Sequence, residues 1–281
     1  MQPFVLITGV SSGIGLACAR LLLDQGYRVI GTLRRQDEAA RLREQLGEAF
    51  HPLLLDVTDQ AALPDAVRQV EAWVSGQGLA ALINNAGIAS PTGPLLLQPL
   101  AEMRAMFEVN LFGLIGVTQA FAPLLGAGPG RAGRGRLINI GSVSGRLTTP
   151  LAGCYAASKH ALEAVSDALR VELGIYGIEV VLIEPGPIRT AIWGKVKADP
   201  RYAGTDYQAA VQALLERVER SARQGAAVER VSLAVLRAIR ASRPKPRYPL
   251  HPMWHLAAWL PTRWRDRLLA GRGALPRRSS L

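Results

Sequence analysis

Tyr155 and Lys159 stand four residues apart in a stretch, 153–175, whose pattern predicts a helix, so both project from one face. A free phenol ionises near ~10, too high to exchange protons easily at neutral pH. A cation about 4 Å away, at an effective dielectric near ~20, contributes roughly 4 kcal/mol, enough to lower the phenol by about three pH units. A lysine at this spacing would therefore bring the tyrosine into range for general acid–base catalysis. Lys159 is one of four lysines in a chain that carries 29 arginines, and a compact ammonium is suited to that task where a planar guanidinium is not. Such a pair also occurs on ordinary helix surfaces. Cys154 and His160, which flank it, read as packing residues.

A second constellation lies near the N-terminus. The apolar run Phe4–Thr8 leads into Thr8-Gly9-Val10-Ser11-Ser12-Gly13-Ile14-Gly15 and then a helical pattern over 13–25. Glycines there let the backbone approach a phosphate, and the N–H groups and dipole of the helix start stabilise the anion. The spacing G-x-x-x-G-x-G differs from G-x-G-x-x-G, and no lysine follows where a phosphate-loop ATPase needs one. A tight strand-to-helix corner would use the same glycines. At the end of the next strand, where a carboxylate would receive the ribose hydroxyls of NAD, the chain reads Gly31-Thr32-Leu33-Arg34-Arg35. An acid would repel a 2′-phosphate, whereas arginine binds it through charge-assisted hydrogen bonds. The position predicts NADP over NAD, the alternative being that Arg34 and Arg35 only solvate a helix start.

These groups need a scaffold, and the hydrophobic pattern supplies one. Short apolar runs at Phe4–Thr8, Tyr27–Thr32, Phe50–Asp56, Ala80–Asn84, Arg136–Ile140 and Ile178–Ile183 read as strands covered on both faces. Helical patterns near 13–25, 36–47, 59–75, 101–125 and 153–175 alternate with them. The expected fold is α/β, a single doubly wound Rossmann-like parallel sheet with helices on both faces. We expect residues 1–250 to form the cofactor-binding and catalytic domain, with a substrate lid at 188–225 and a helix at 226–241. Residues 251–281 would be a basic extension packed on that domain, and Gly126–Gly135 a flexible insertion.

Composition narrows the class. Of 281 residues, 49% are hydrophobic, which excludes a disordered chain. Cys18 and Cys154 make no disulfide framework and no zinc-type spacing, so no metal is expected. No run approaches ~18 consecutive apolar residues, and no basic leader precedes Phe4; the expectation is a cytoplasmic protein. The net charge of +11 is uneven, because residues 231–281 hold eleven bases against one acid, Asp266. Such a tail could meet an acidic partner or an anionic membrane surface. Trp254, Trp259 and Trp264 add interfacial character, but their spacing keeps them off one helical face, which favours packing over membrane contact. No nucleic-acid reading motif accompanies the bases.

Three further motifs, Asn84-Asn85-Ala86-Gly87, Tyr155-Ala156-Ala157-Ser158-Lys159 and Pro185-Gly186, follow Thr8–Gly15 in order. Over about residues 3–190 the chain resembles the short-chain dehydrogenase/reductase family. The resemblance implies a catalytic set of Asn110, Ser142, Tyr155 and Lys159. Tyr155 would exchange the proton, Ser142 would bond the substrate oxygen, and Asn110 would hold a proton-relaying water. It places Thr8, Gly9, Ser11, Ser12, Gly13, Ile14 and Gly15 on the phosphate and ribose side of the cofactor. Arg34, in Thr32-Leu33-Arg34, would favour NADP. Asp56 and its neighbour Val57 would lie at the adenine, and Asn84, Ala86 and Gly87 would support the cofactor. Pro185, Gly186, Ile188 and Thr190 would face the nicotinamide, where Tyr155 and Lys159 also meet it.

The tail, with Arg243-Pro244-Lys245-Pro246-Arg247-Tyr248, resembles the hydroxysteroid and retinol dehydrogenase branch. That implies an apolar alcohol or carbonyl substrate, with Val143, Leu147 and Leu95-Leu96-Leu97 as candidate cleft residues beside the lid segment Thr190–Lys195. It also implies a homodimer or homotetramer through the helices near 101–125 and 153–175. A 3-oxoacyl-[acyl-carrier-protein] reductase is the alternative enzyme, and a non-catalytic cofactor-sensing regulator the alternative of another class.

Overall fold

The computed structural model describes residues 2–128, 135–190, 196–197, 199–255 and 261–272. Its seven strands are β1 Phe4–Ile7, β2 Arg28–Leu33, β3 Phe50–Leu54, β4 Ala81–Asn84, β5 Arg136–Ile140, β6 Glu179–Glu184 and β7 Arg247–Pro249. They form one parallel sheet in the order β3-β2-β1-β4-β5-β6-β7. The order reverses direction beside β1, which opens a crevice at the carboxyl ends of β1 and β4. That is where both glycine-bearing motifs emerge.

The helices are α1 Gly13–Asp24, α2 Gln36–Leu46, α3 Leu63–Val74, α4 Leu100–Phe107, α5 Gly113–Leu125, α6 Gly153–Glu172, α7 Gln208–Gln224, α8 Glu229–Arg240 and α9 Thr262–Arg272. Alternating residues of the central strands feed two separate cores. Val5 and Ile7 pack with Cys18 and Leu22 of α1 and Val235 of α8, while Phe4 and Leu6 pack with Val70 of α3 and Phe121 of α5. Both faces are therefore apolar for a structural reason, and the strand runs read accordingly.

The structure departs from expectation in three places. Strand β7 was not among the expected strands; it adds to β6 with Leu182 opposite Arg247. Strand β3 is an edge strand, and Leu54 is 48% exposed, so it is not covered on both faces. The expected helix over 101–125 is interrupted by a π-helical turn, Glu108–Phe112, between α4 and α5. By length and composition the continuous run Leu100–Leu125 could cross a membrane, but 56% of its apolar window is buried in the fold.

Both edge strands carry a proline, Pro52 in β3 and Pro249 in β7. Leu55 N donates to Leu33 O of β2, and Leu250 N donates to Glu184 O of β6. By the alternation of a strand, the nitrogens of Pro52 and Pro249 point away from the sheet. Within 188–225, Ile188 bridges to Ala226, and Tyr202 packs on Gly93 in the loop after β4. Arg201 adds an ion pair to Glu102 of α4 at 2.7 Å. Residues 191–195 and 198 of the expected lid lie outside the described residues, as do Trp259 and most of the 126–135 insertion.

Candidate active site

The turn after β1 is built to keep its backbone close to a ligand. Gly9 and Gly13 have φ of +70° and +60°, a region that L side chains rarely adopt. A Cβ on Gly15 would lie 2.3 Å from the Gly9 carbonyl oxygen and 2.6 Å from Asn85 Nδ2. Asn85 Nδ2 donates to the carbonyls of Thr8 and Gly9, both at 2.9 Å. Thr8 Oγ1 in return accepts from Asn85 N at 2.9 Å and Ala86 N at 3.0 Å. Thr32 Oγ1 takes Gly9 N at 2.9 Å. Asn85 and Thr32 were not among the expected site residues, yet they pin the turn; Asn85 could have been suspected from its place in Asn84–Gly87. Asn84 lies deeper, bonded to Thr118 and Asn139. Ser12 caps α1 without a side-chain capping bond, and no acid occupies the first turn. Ser11 is half-buried and Ile14 packs against the core beneath the turn. A helix start with spare donors and no carboxylate fits a phosphate group.

At the far end of β2, Arg34 and Arg35 separate in role. Arg35 is bound to Asp37 with Nε donating at 3.0 Å. Arg34 stands 71% exposed, with Asp56 3.8 Å away. Burial raises the Asp56 carboxyl, but bonds from the Thr58 backbone and hydroxyl, with the Arg34 charge, outweigh it and hold the group below its usual range. Val57 is buried beneath, its carbonyl 2.8 Å from where a Cβ on Gly113 would sit.

The catalytic candidates converge where β4 and β5 end and α6 begins. Lys159 is buried, and its Nζ donates to the Ile140 carbonyl at 2.9 Å and lies 5.9 Å from the Tyr155 ring centre. A Cβ on Gly87 would sit 3.2 Å from Asn110 Oδ1 and 3.9 Å from Lys159 Nζ, so the three groups share one small space. Ser142 precedes the turn Val143–Gly145 and accepts from Ser144 N at 3.1 Å. Asn110 sits in the π-helical turn, a distortion often found at functional sites. Its amide donates to Ile88 O at 2.9 Å and Ser158 Oγ at 3.1 Å, and its oxygen accepts from Ile88 N at 2.8 Å. Both donors are thus committed to protein partners, leaving one acceptor site of the side chain for a water.

The expected electrostatics do not hold in full. Burial pushes the Tyr155 phenol up, and a hydrogen bond with Ser142 opposes it. Burial pulls Lys159 down from 10.5 to about 8. Removing a phenolate from water costs more here than the Ser142 hydrogen bond returns, so the phenol stays above its ordinary value.

Beyond β6, Pro185 O accepts from Val143 N at 2.8 Å, tying this segment to the Ser142 loop. Gly186 packs on His251, Ile188 is buried, and Thr190 lies 3.4 Å from a Cβ on Gly13. An open groove of about 580 Å³ between α1 and α8 touches the site at Gly13 and Thr190 but lies apart from Tyr155 and Lys159. The candidate cleft residues divide. Leu147 is buried with Leu269 of α9 and Met253, whereas Leu95 and Leu96 are 55% and 82% exposed. Trp254 packs inward, its indole donating to Glu184, while Trp264 is 66% exposed. Cys18 and Cys154 are free, buried and raised by burial, and His160 bonds the Ala156 carbonyl; none faces the cluster as a reagent.

Comparison with known proteins agrees with this geometry. A family model described as short chain dehydrogenase matches residues 3–201. An NADPH-dependent 3-dehydrocapnine reductase from Ornithobacterium rhinotracheale is 42% identical over 270 residues, covering 94% of this chain and 95% of that protein. Retinol dehydrogenase 16 from Homo sapiens is 39% identical over 194 residues, 69% of this chain, and the match spans 59% of that protein's length. Among solved structures, a short-chain dehydrogenase from Streptomyces avermitilis is 27% identical, with 96% of this chain and 95% of that one covered and a TM-score of 0.75. With these matches laid over a reversed parallel sheet and a Tyr-x-x-x-Lys helix at its crevice, the chain belongs to the short-chain dehydrogenase family of oxidoreductases.

Proposed function

We propose that the chain is an NADPH-dependent reductase of an apolar carbonyl compound. The observation that carries this reading is the convergence of Ser142, Tyr155 and Lys159, with the phenol held protonated and the lysine buried beside it. The relative that is 42% identical is itself named as NADPH-dependent, and the exposed Arg34 offers a cation for a 2′-phosphate.

The Thr8–Gly15 turn and the start of α1 would hold the pyrophosphate, Arg34 and Asp56 the adenosine end, and Thr190 with the Pro185–Gly186 segment the nicotinamide end. NADPH, when bound, supplies the hydride. Ser142 Oγ donates a hydrogen bond to the carbonyl oxygen and orients it. Tyr155 gives that oxygen its proton, the step for which a raised phenol is already in the correct state. Lys159 then favours the phenolate left behind and is the nearest source for restoring its proton. Asn110 fixes Ile88 and the π-helical turn, keeping the wall behind Lys159 in place.

The substrate class rests on the exposed apolar side chains of Leu95 and Leu96, on Val143 next to Ser142, and on the retinol dehydrogenase likeness. The basic tail would suit an acidic acyl carrier, so 3-oxoacyl thioesters belong in the same test. A reducing cytoplasmic setting accords with two free cysteines. The test is NADPH consumption against 3-dehydrocapnine, retinal, a steroid ketone, an aliphatic ketone and a carrier-bound 3-oxoacyl group, with Tyr155→Phe as control. Turnover of at least one apolar ketone, abolished in the variant while NADPH still binds, is expected. Wild-type turnover in Tyr155→Phe, or preference for NADH, would refute the reading.

A further inference from the structure

Behind the catalytic helix lies a cluster of buried charge that the reaction above does not use. Glu184 closes β6, immediately before Pro185-Gly186, and is fully buried. Glu163 lies one helical turn beyond Lys159 on α6 and is also buried. Each carboxyl has one oxygen accounted for. Glu184 Oε1 accepts from the Trp254 indole; Glu163 Oε2 accepts from Arg247 Nε at 3.0 Å and has Arg146 at 3.5 Å. The remaining oxygens, Glu184 Oε2 and Glu163 Oε1, are buried with no hydrogen-bond donor. The two carboxyls lie within hydrogen-bonding reach of each other; two buried oxygens there cannot both stay bare, and two like charges resist joint ionisation.

We infer that Glu184 and Glu163 share one proton between these two oxygens, and that the resulting acid–carboxylate pair is a positioning device seating the segment His251–His255 against the loop that bears Ser142. One proton satisfies both orphaned oxygens: Glu184 donates through Oε2, Glu163 accepts through Oε1. Glu184 is the neutral member, because its side-chain partner Trp254 is uncharged, while Glu163 faces two guanidinium groups. Desolvation, then the Glu163 bond and charge, raise Glu184 to about 8 against the Trp254 bond and the Arg247 charge.

The contacts radiate to each part of the site. Trp254 lies under the Arg146 guanidinium, 5.3 Å from its ring centre, and Arg146 follows the Ser142 loop. A Cβ on Gly145, in that loop, would stand 3.1 Å from Glu163 Oε1, so the glycine leaves room for the carboxyl. His251 packs on Gly186, and Met253 packs with Leu147 and Leu269. Other charged groups around the pair are Asp167 and Arg170 on α6, Lys159 one turn before Glu163, Arg247 on β7, His251, and Arg230 of α8 beside it. Asp167 takes Arg247 at 2.7 Å and Arg170 at 2.5 Å, and among the described residues no cation forms an ion pair with Glu184 itself.

The proton pair rests on side chains alone; only the kinetic arm below rests on the proposed function. In infrared spectra of the whole cofactor-free protein, one protonated carboxylic acid band is expected at neutral pH. It should disappear as pH rises through about 8 and be missing in Glu184→Gln. A carboxyl raised in the folded state stabilises it fully below its unfolded value, and that contribution is lost as pH climbs through the folded value. The wild-type Tm should therefore fall relative to Glu184→Gln between about pH 5 and about pH 8. In kinetics, KM for the ketone substrate should rise several-fold above about pH 8 in the wild type, with NADPH affinity steady, and Glu184→Gln should flatten that rise. Absence of the acid band at neutral pH, or parallel Tm profiles, would overturn the inference. If the variant does not fold, the wild-type infrared titration decides alone. A band that titrates in a protein that reduces no ketone would count against the proposed function and leave the pair standing.

Discussion

Replacing Lys159 with methionine should make the protein more stable and inactive at once. Burial lowers the ammonium from 10.5 to about 8, so the folded chain at neutral pH holds a charge it would shed if it could. That gap corresponds to roughly 3 kcal/mol of destabilisation. Methionine has similar length and no charge, but it leaves the Ile140 carbonyl without its 2.9 Å donor, which costs about 1–2 kcal/mol. The net gain is about 1–2 kcal/mol, a Tm rise of roughly 2–6 °C for a chain of this size. The assay is thermal unfolding of the cofactor-free protein at pH near 7, beside NADPH turnover, which should fall by about 10²–10⁴. Because the folded value is depressed, the wild type recovers stability as pH rises from about 8 toward 10.5, and the gap between the proteins should close there. A variant no more stable than wild type at neutral pH, or a gap that persists at high pH, would refute the reasoning.

Arg34→Ala should weaken NADPH by about 10–100-fold, the worth of a charge-assisted bond to phosphate, and leave NADH within about twofold. Titration calorimetry with both cofactors checks it, and an equal loss for the two would contradict the assignment. Val171 and Ile175, at the end of α6 and just beyond it, are 76% and 77% exposed, and Phe112 is 51% exposed between α4 and α5. We propose a homodimer or homotetramer through these helices; light scattering should report it, and Val171→Glu with Ile175→Glu should shift it toward monomer. A wild-type monomer at micromolar concentration would exclude that arrangement.

The central strands were legible because each feeds two cores, so Val5-Leu6-Ile7 is apolar at every position. Strand β7 was not, since Arg247-Tyr248-Pro249 is short, charged and proline-bearing, and it pairs with β6 only because the chain returns from α8. The Tyr155–Lys159 spacing marked the candidate acid–base pair. The state of its protons did not show, because it depends on burial and on Ile140, which approaches from another strand. The glycines of the turn after β1 were readable by spacing, whereas the Asn85 and Thr32 bonds that hold them come from beside β4 and from β2 and appear only once the strands lie side by side. Glu184 left a trace that could have been followed: an acid directly after the apolar run Val180–Ile183 and directly before Pro185-Gly186.

The two margins of the sheet bear on how copies of this protein can meet. A parallel sheet ends in strands whose outer amides are ready to recruit a foreign strand, the route by which sheet proteins grow into fibres. Here Pro52 on one margin and Pro249 on the other each delete an outward-facing donor, so an incoming strand would face a gap in its hydrogen-bond ladder at either side. Templated growth is thereby discouraged at both ends of the sheet. Association is left to the helical flanks, where side-chain shape rather than bare backbone decides which surface is accepted.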